Sequence, residues 1–192
     1  MRHIYSCLSL VLLLSACSTH EPSSPPNSAS VSPHPSVPQI PKSPAEIRCQ
    51  DLQNPAYQQA VIEAINQIRQ HTRQCGQHSF SAAAPLNWNY PLYRSAFTHS
   101  EDMAQHQFLS HINSAGLDFK NRLKLSQFKG HGGGENVAKG QSNLNEVMAT
   151  WLTSPAHCSN LMNAKFTDYA IACSVDPSAP SKGYWTQQFG IR

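Results

Sequence analysis

Two histidines and one glutamate stand in three separate stretches of this chain: Phe108-Leu109-Ser110-His111, Gly134-Glu135-Asn136-Val137-Ala138 and Trp151-Leu152-Thr153-Ser154-Pro155-Ala156-His157. Two neutral imidazoles and a carboxylate form a plausible set of ligands for a divalent metal such as zinc, with an open position for water. The same three groups can equally hydrogen-bond, with Glu135 fixing the tautomer of one ring. No helical His-Glu-x-x-His motif is present to decide for metal. His99, Ser100 and Asp102 carry the residue types of a catalytic triad, but neighbouring helix positions do not face one another. His99 is therefore read as a helix residue with a packing role. His131-Gly132-Gly133-Gly134 imitates an esterase oxyanion loop, but the chain has no Gly-x-Ser-x-Gly elbow to supply the nucleophile. The glycines are expected to turn the backbone sharply into Glu135.

The chain has 192 residues, a net charge of +3 and only 13% charged residues. No run of Lys or Arg marks a nucleic-acid surface. Ten histidines are many for this length, but several are expected at the surface and their number argues for nothing. Residues 1–16 read as a leader: a short positive start, then an apolar run from Cys7 to Leu14 too short to span a bilayer. Leu14-Ser15-Ala16-Cys17 resembles the lipobox of bacterial lipoproteins, which implies cleavage before Cys17 and acylation of that cysteine. Several acyl chains anchor a protein stably where one does not. Ser18 after the cysteine implies the outer membrane in a Gram-negative cell. Residues 17–53 read as a lipidated, disordered tether, because Ser, Pro, Thr and Asn dominate and little apolar surface is available to bury.

Four cysteines remain: Cys49, Cys75, Cys158 and Cys173. In an exported chain an even number predicts two disulfides. Of the three pairings, Cys49–Cys75 with Cys158–Cys173 is favoured because each closes a local loop, the second worth about 3 kcal/mol by loss of chain entropy.

The elements that must position these residues occupy 54–192. Ala60, Val61, Ala64, Ile65 and Ile68 recur at helical spacing after Pro55, in a segment ended by Cys75-Gly76. Pro91 opens a second helix that runs to about Gln107, and a short third helix covers Asp118 to Leu125. Glu135 to Ala138 reads as a short strand or the turn into one. Asn143 caps a fourth helix with Glu146 as its capping-box partner, and Pro155 stops or restarts it. Tyr169 to Val175 and Gly183 to Gly190 read as paired strands. Helices first and strands late predict an α+β domain rather than alternating βαβ units.

Seven pieces in order resemble the CAP superfamily, the cysteine-rich secretory, antigen 5 and pathogenesis-related proteins that share the SCP domain. They are Ile65-Asn66-Gln67-Ile68-Arg69, Pro85-Leu86-Asn87-Trp88, Ala96 to Ala104, Leu109-Ser110-His111, Gly134 to Ala138, Trp151 to His157 and Tyr184 to Gly190. The resemblance implies a three-layer α-β-α sandwich with a central antiparallel sheet. It also implies an open cleft of two histidines and two acids, of which His111, Glu135 and His157 map onto this chain and the second acid falls on Ser154. Some members bind zinc at the matching histidines, and others bind sterols or fatty acids in apolar grooves. Trp88, Trp151, Trp185, Tyr184 and Phe189 are core residues by default and groove residues by that analogy. With no nucleophile, no cofactor motif and one acid missing, the expected function is binding: an envelope lipid, a surface partner or a divalent metal. The rival is a metal-dependent hydrolase, with Glu135 as ligand or general base. A structural envelope spacer is the third class.

Overall fold

A computed structural model describes residues 47–192; the leader, Cys17 and the tether up to residue 46 lie outside the described residues. Residues 47–53, given to the tether by composition, pack into the domain. Ile47, Cys49 and Leu52 are buried, and Cys49–Gln53 forms a 3-10 turn.

Helix α1 spans Pro55–Arg69, with Asn54 accepting the Ala56 N–H at its start. Its apolar face buries Val61, Ile62 and Ile65. The helix stops at Arg69, whose fully buried guanidinium donates to the carbonyls of Ala84, Leu161 and Asn163. The segment up to Cys75 is therefore not helical throughout. It ends in a hairpin of β1 (Arg73–Cys75) and β2 (His78–Phe80), turned by Gly76 at φ 61°. Helix α2 (Tyr90–His106) begins at Asn89, which caps Leu92, and ends on Gln107 in the left-handed region. Helix α3 (Phe119–Leu125) is capped by Asp118, which accepts the Asn121 N–H.

The sheet holds β3 (Asn87–Trp88), β4 (Gly132–Gln141), β5 (Asp168–Asp176) and β6 (Ala179–Ile191), in the order β3-β5-β6-β4. The three long strands are antiparallel, with Glu135 opposite Gln188 and Cys173 opposite Trp185. Only the two-residue β3 runs parallel to its neighbour. Between β4 and β5, Asn143 caps α4 (Leu144–Thr153), and Glu146 reaches back to the Ser142 N–H. Pro155 then starts α5 (Pro155–Met162).

Alternation along the strands divides the core. Ala138, Ile171, Trp185 and Phe189 meet α1, α4 and α5 on one face. Ala170, Val137 and Tyr184 meet α2 and α3 on the other. The domain is the expected α+β sandwich of three layers. Trp151, Trp185, Tyr184 and Phe189 are all fully buried in it.

Two further expectations are corrected. The disulfides are Cys49–Cys173 and Cys75–Cys158, not the two local pairs. The first fastens the 3-10 turn to β5, and the second fastens the hairpin to α5; tertiary packing brings together what sequence separation of 124 and 83 residues keeps apart. The glycines are not a turn. Gly132 to Gly134 lie within β4, paired with β6, and they are needed for closeness: a Cβ on Gly133 would stand 2.2 Å from the Phe189 carbonyl oxygen, and one on Gly134 would stand 2.9 Å from the Phe166 ring.

Candidate functional site

The loop from α2 to α3 carries His111 and is pinned at several backbone points. His99, buried on α2, bonds the Ser110 carbonyl through Nε2 at 2.8 Å. A carbonyl only accepts, so Nε2 carries the proton, and burial pushes the His99 pKa down, keeping the ring neutral. Asp102 accepts the N–H and the hydroxyl of Ser114. Arg122 on α3 donates to the carbonyls of His111 (2.7 Å) and Leu117 (2.9 Å).

The second guanidinium nitrogen of Arg122 lies 2.5 Å from Glu135 Oε2. Gln188 Nε2, from the neighbouring strand, donates to the same oxygen at 2.9 Å. The other oxygen, Oε1, lies 2.9 Å from His111 Nδ1. Glu135 is 2% exposed and the His111 side chain is 54% exposed. Burial alone would raise the Glu135 pKa; the His111 hydrogen bond and the Arg122 charge outweigh it and hold the carboxyl below its ordinary value. The carboxylate is thus ionised and purely an acceptor. His111 donates to it from Nδ1.

His157 enters from α5. Its carbonyl is held by Asn136 Nδ2 at 3.1 Å, and its neighbour Cys158 is tied to Cys75. Partial burial, then the nearby His111, lowers its pKa, which favours the neutral imidazole. Its Nδ1 is buried without a hydrogen-bond partner.

Glu135 and His111 are therefore in direct contact, and His157 shares their electrostatic neighbourhood. Among the described residues no three His, Cys, Asp or Glu side chains converge closely enough to hold a metal. Both Glu135 oxygens are engaged inside the protein, by Arg122, Gln188 and His111. A carboxylate behind an imidazole is, however, the arrangement that orients a metal-binding histidine and raises its basicity. His111 and His157 are the two imidazoles of the expected set that could hold a cation. Ser154 is half-buried at the junction of α4 and α5; its carbonyl accepts the Cys158 N–H and its hydroxyl makes no cap bond. His99, Ser100 and Asp102 diverge as expected: Ser100 bonds Thr186, while Asp102 holds Ser114.

Sequence reasoning missed Arg122, Gln188 and Asn136. Gln187-Gln188 side by side among aromatic residues of a strand was the available signal, since buried amides need partners. Asn136 bonds Gln187, and Gln187 bonds the Tyr169 hydroxyl, on the sheet face opposite Glu135.

Residues 62–189 match the cysteine-rich secretory protein family, CAP. The chain belongs to this family. A CAP relative, YkwD of Bacillus subtilis (strain 168), is 29% identical over 134 residues, 70% of this chain and 47% of its own. The membrane protein YlbC of the same organism is 31% identical over 106 residues, 55% of this chain and 29% of its own. This chain thus spans less than half the length of either curated relative. Among solved structures, an extracellular protein containing an SCP domain from Bacillus anthracis str. Ames superposes with a TM-score of 0.58 at 23% identity, over 80% of this chain and 45% of its own. An outer surface protein from Borrelia burgdorferi gives 0.55 at 17% identity, over 70% and 88%. At these identities the two structures establish the fold alone.

Proposed function

We propose that this CAP-domain chain is an exported envelope protein, held at a membrane by lipid on Cys17, whose cleft binds its target rather than transforming it. The target argued for is a divalent cation, zinc by the preference of that ion for imidazole, taken by His111 and His157. The observation that carries the binding reading is the engagement of both Glu135 oxygens. A hydrolase needs a base within reach of water, and Glu135 accepts from Arg122, Gln188 and His111 instead. The descriptions of the relatives as a membrane protein, an extracellular protein and an outer surface protein support the location. Among the described residues no helix is long and apolar enough to cross a membrane.

Calorimetry of zinc against the full chain and its His111→Ala/His157→Ala variant tests the cleft. Stoichiometric binding lost in the variant is expected; binding retained by the variant, or none by either, removes the cation. Turnover of a peptide or ester that a chelator abolishes would turn the assignment to the hydrolase. Location is tested separately: Cys17→Ser is expected to move the protein from the membrane to the soluble fraction, and continued sedimentation with membranes would refute the lipid anchor.

A further inference from the structure

The solvent side of α1 is lined with neutral amides. Gln59, Glu63, Gln67 and Gln70 recur every three or four residues, so they share one side of the helix and its last turn, and all four are exposed. They border a groove of about 550 Å³ between α1 and the segment that leads into β3, within the size range of ligand sites. From Gln59 to Gln70 this rim runs about 16 Å along the helix. Asn66 ties the two walls together: its side chain donates to the Leu86 carbonyl at 3.0 Å and accepts the Leu86 N–H at 2.8 Å. Pro85 and the partly buried Trp88 complete the far wall. The indole of Trp88 is held in place by Tyr93, with ring centroids 5.7 Å apart, and by the edge contact with Tyr169 at 6.3 Å. Gln59 donates to Glu63 Oε1 at 2.7 Å, which orients both groups. The groove is thus largely formed before anything enters it, which lowers the ordering cost of binding.

The charge in the groove narrows the ligand. Among the described residues no Lys, Arg or His lines it, although the chain carries a net charge of +3. The one basic residue of α1, Arg69, is spent inside the domain on backbone carbonyls. An anion would meet no counter-charge here and would face Glu63. A wholly apolar ligand would strip water from the amides without replacing it. A side-chain amide offers donors and an acceptor together. A row of them beside a fixed indole complements a ligand with hydroxyl or amide groups around its edge and C–H surface on its faces. A sugar ring has both, and the length of the rim suits several linked rings rather than one.

We propose that this groove binds an uncharged oligosaccharide, with Trp88 as the surface for a sugar ring and the Gln67 and Gln70 amides as partners of its hydroxyl or acetamido groups. The site uses no residue of the histidine cleft and does not rest on the cation reading. The test is calorimetry of the full chain with chitotetraose, cellotetraose, tetragalacturonate and N-acetyl-tetraalanine amide, repeated with Gln67→Ala/Gln70→Ala. Both glutamines are exposed and alanine suits a helix, so the variant keeps the fold. Acrylamide quenching of tryptophan fluorescence supplies a second readout. Of the three tryptophans Trp151 and Trp185 are fully buried, so quenching reports on Trp88.

One or both neutral tetrasaccharides are expected to bind one-to-one and to protect Trp88 from acrylamide. The variant is expected to bind them about tenfold more weakly or worse, the loss of two neutral hydrogen bonds. A preference for chitotetraose or for cellotetraose tells whether acetamido or hydroxyl groups are read, and supports the site either way. Tetragalacturonate binding as tightly as the neutral sugars would show recognition by charge and overturn the proposal. The peptide amide binding as tightly would make the groove a peptide site and overturn it as well. No binding of either neutral sugar, an unchanged variant, or binding that leaves Trp88 open to acrylamide would each overturn it too.

Discussion

Glu135 is buried between an exposed imidazole and a buried guanidinium, and this arrangement decides its role. In water a carboxylate and an imidazole exchange protons freely; here Arg122 and Gln188 hold the charge on the carboxylate, leaving His111 only the donor role at Nδ1. His99 shows the opposite balance. It is buried with no acceptor for a second proton, so its pKa in the folded state lies below 6.5, and His157 is lowered in the same direction. The unfolded chain therefore binds protons first as pH falls. Stability is complete above about pH 6.5, the ordinary value for an exposed histidine, and declines as pH drops from there toward the folded values. Thermal melting between pH 7.5 and 5.0 is expected to show a falling midpoint. His99→Gln, which keeps a donor for the Ser110 carbonyl, should flatten that slope, and an unchanged slope would exclude His99 as its source. The carboxylates Glu135, Asp102 and Asp168, all held low, act in a more acidic window, with stability lost only as pH falls through their depressed values.

At the level of elements, β4 combines constraints that sequence shows only in part. Its outer carbonyls at Glu135 and Val137 accept from the Asn160 amide and the Trp151 indole. The edge of the sheet is thus capped by side chains rather than left as a template for another strand. Gly132 and Gly133 are adjacent but not equivalent. Gly133→Ala should destabilise by about 2 kcal/mol, because its Cβ would collide with the Phe189 carbonyl and backbone must move. Gly132→Ala, whose nearest neighbour would be the tip of Ile191 at 3.4 Å, should be neutral or slightly stabilising through the stiffer unfolded chain. Urea melts of the two variants check the contrast, and equal effects would contradict it. Helix starts were legible from local chemistry, since Asn54, Asn89, Asp118 and Asn143 each cap the helix that follows. The glycine run was not, because glycine signals both a turn and a close approach, and only the partner strand tells which. The β1–β2 hairpin was missed because an apolar period extrapolates past Arg69, while the hairpin is fixed at a distance by Cys75–Cys158.

Across the whole molecule, the match to the CAP family covers residues 62–189, but the structure closes its core with residues before α1. Ile47, Cys49 and Leu52 sit among the buried residues of the larger core, and Leu144 donates its N–H to the Ile47 carbonyl. A chain beginning at Asn54 loses that burial together with Cys49–Cys173. Closing a loop of this length contributes on the order of 4–5 kcal/mol, so such a chain should melt about 10 °C or more below the one that retains residues 47–53. Calorimetric midpoints within a few degrees would show that the segment is peripheral. Fold class was legible from periodicity and element order, and layer order and the meeting of His111 with Glu135 from resemblance. The tether boundary was not, because Ile47 and Leu52 are isolated apolar residues in polar sequence and gain meaning only from the core they enter.

The two disulfides are nested: Cys75–Cys158 lies inside the span closed by Cys49–Cys173. The cysteines that meet most readily in a disordered chain are the neighbours in sequence, Cys49 with Cys75 and Cys158 with Cys173, because short loops close at lower entropic cost. For a chain delivered amino end first into an oxidising compartment, Cys49 and Cys75 also arrive before either native partner. The kinetically easy bonds are then not the native ones, and any that form must be exchanged by thiolate attack before the native pairs can close. Fold maturation in this protein is therefore a matter of proofreading bonds as well as of making them.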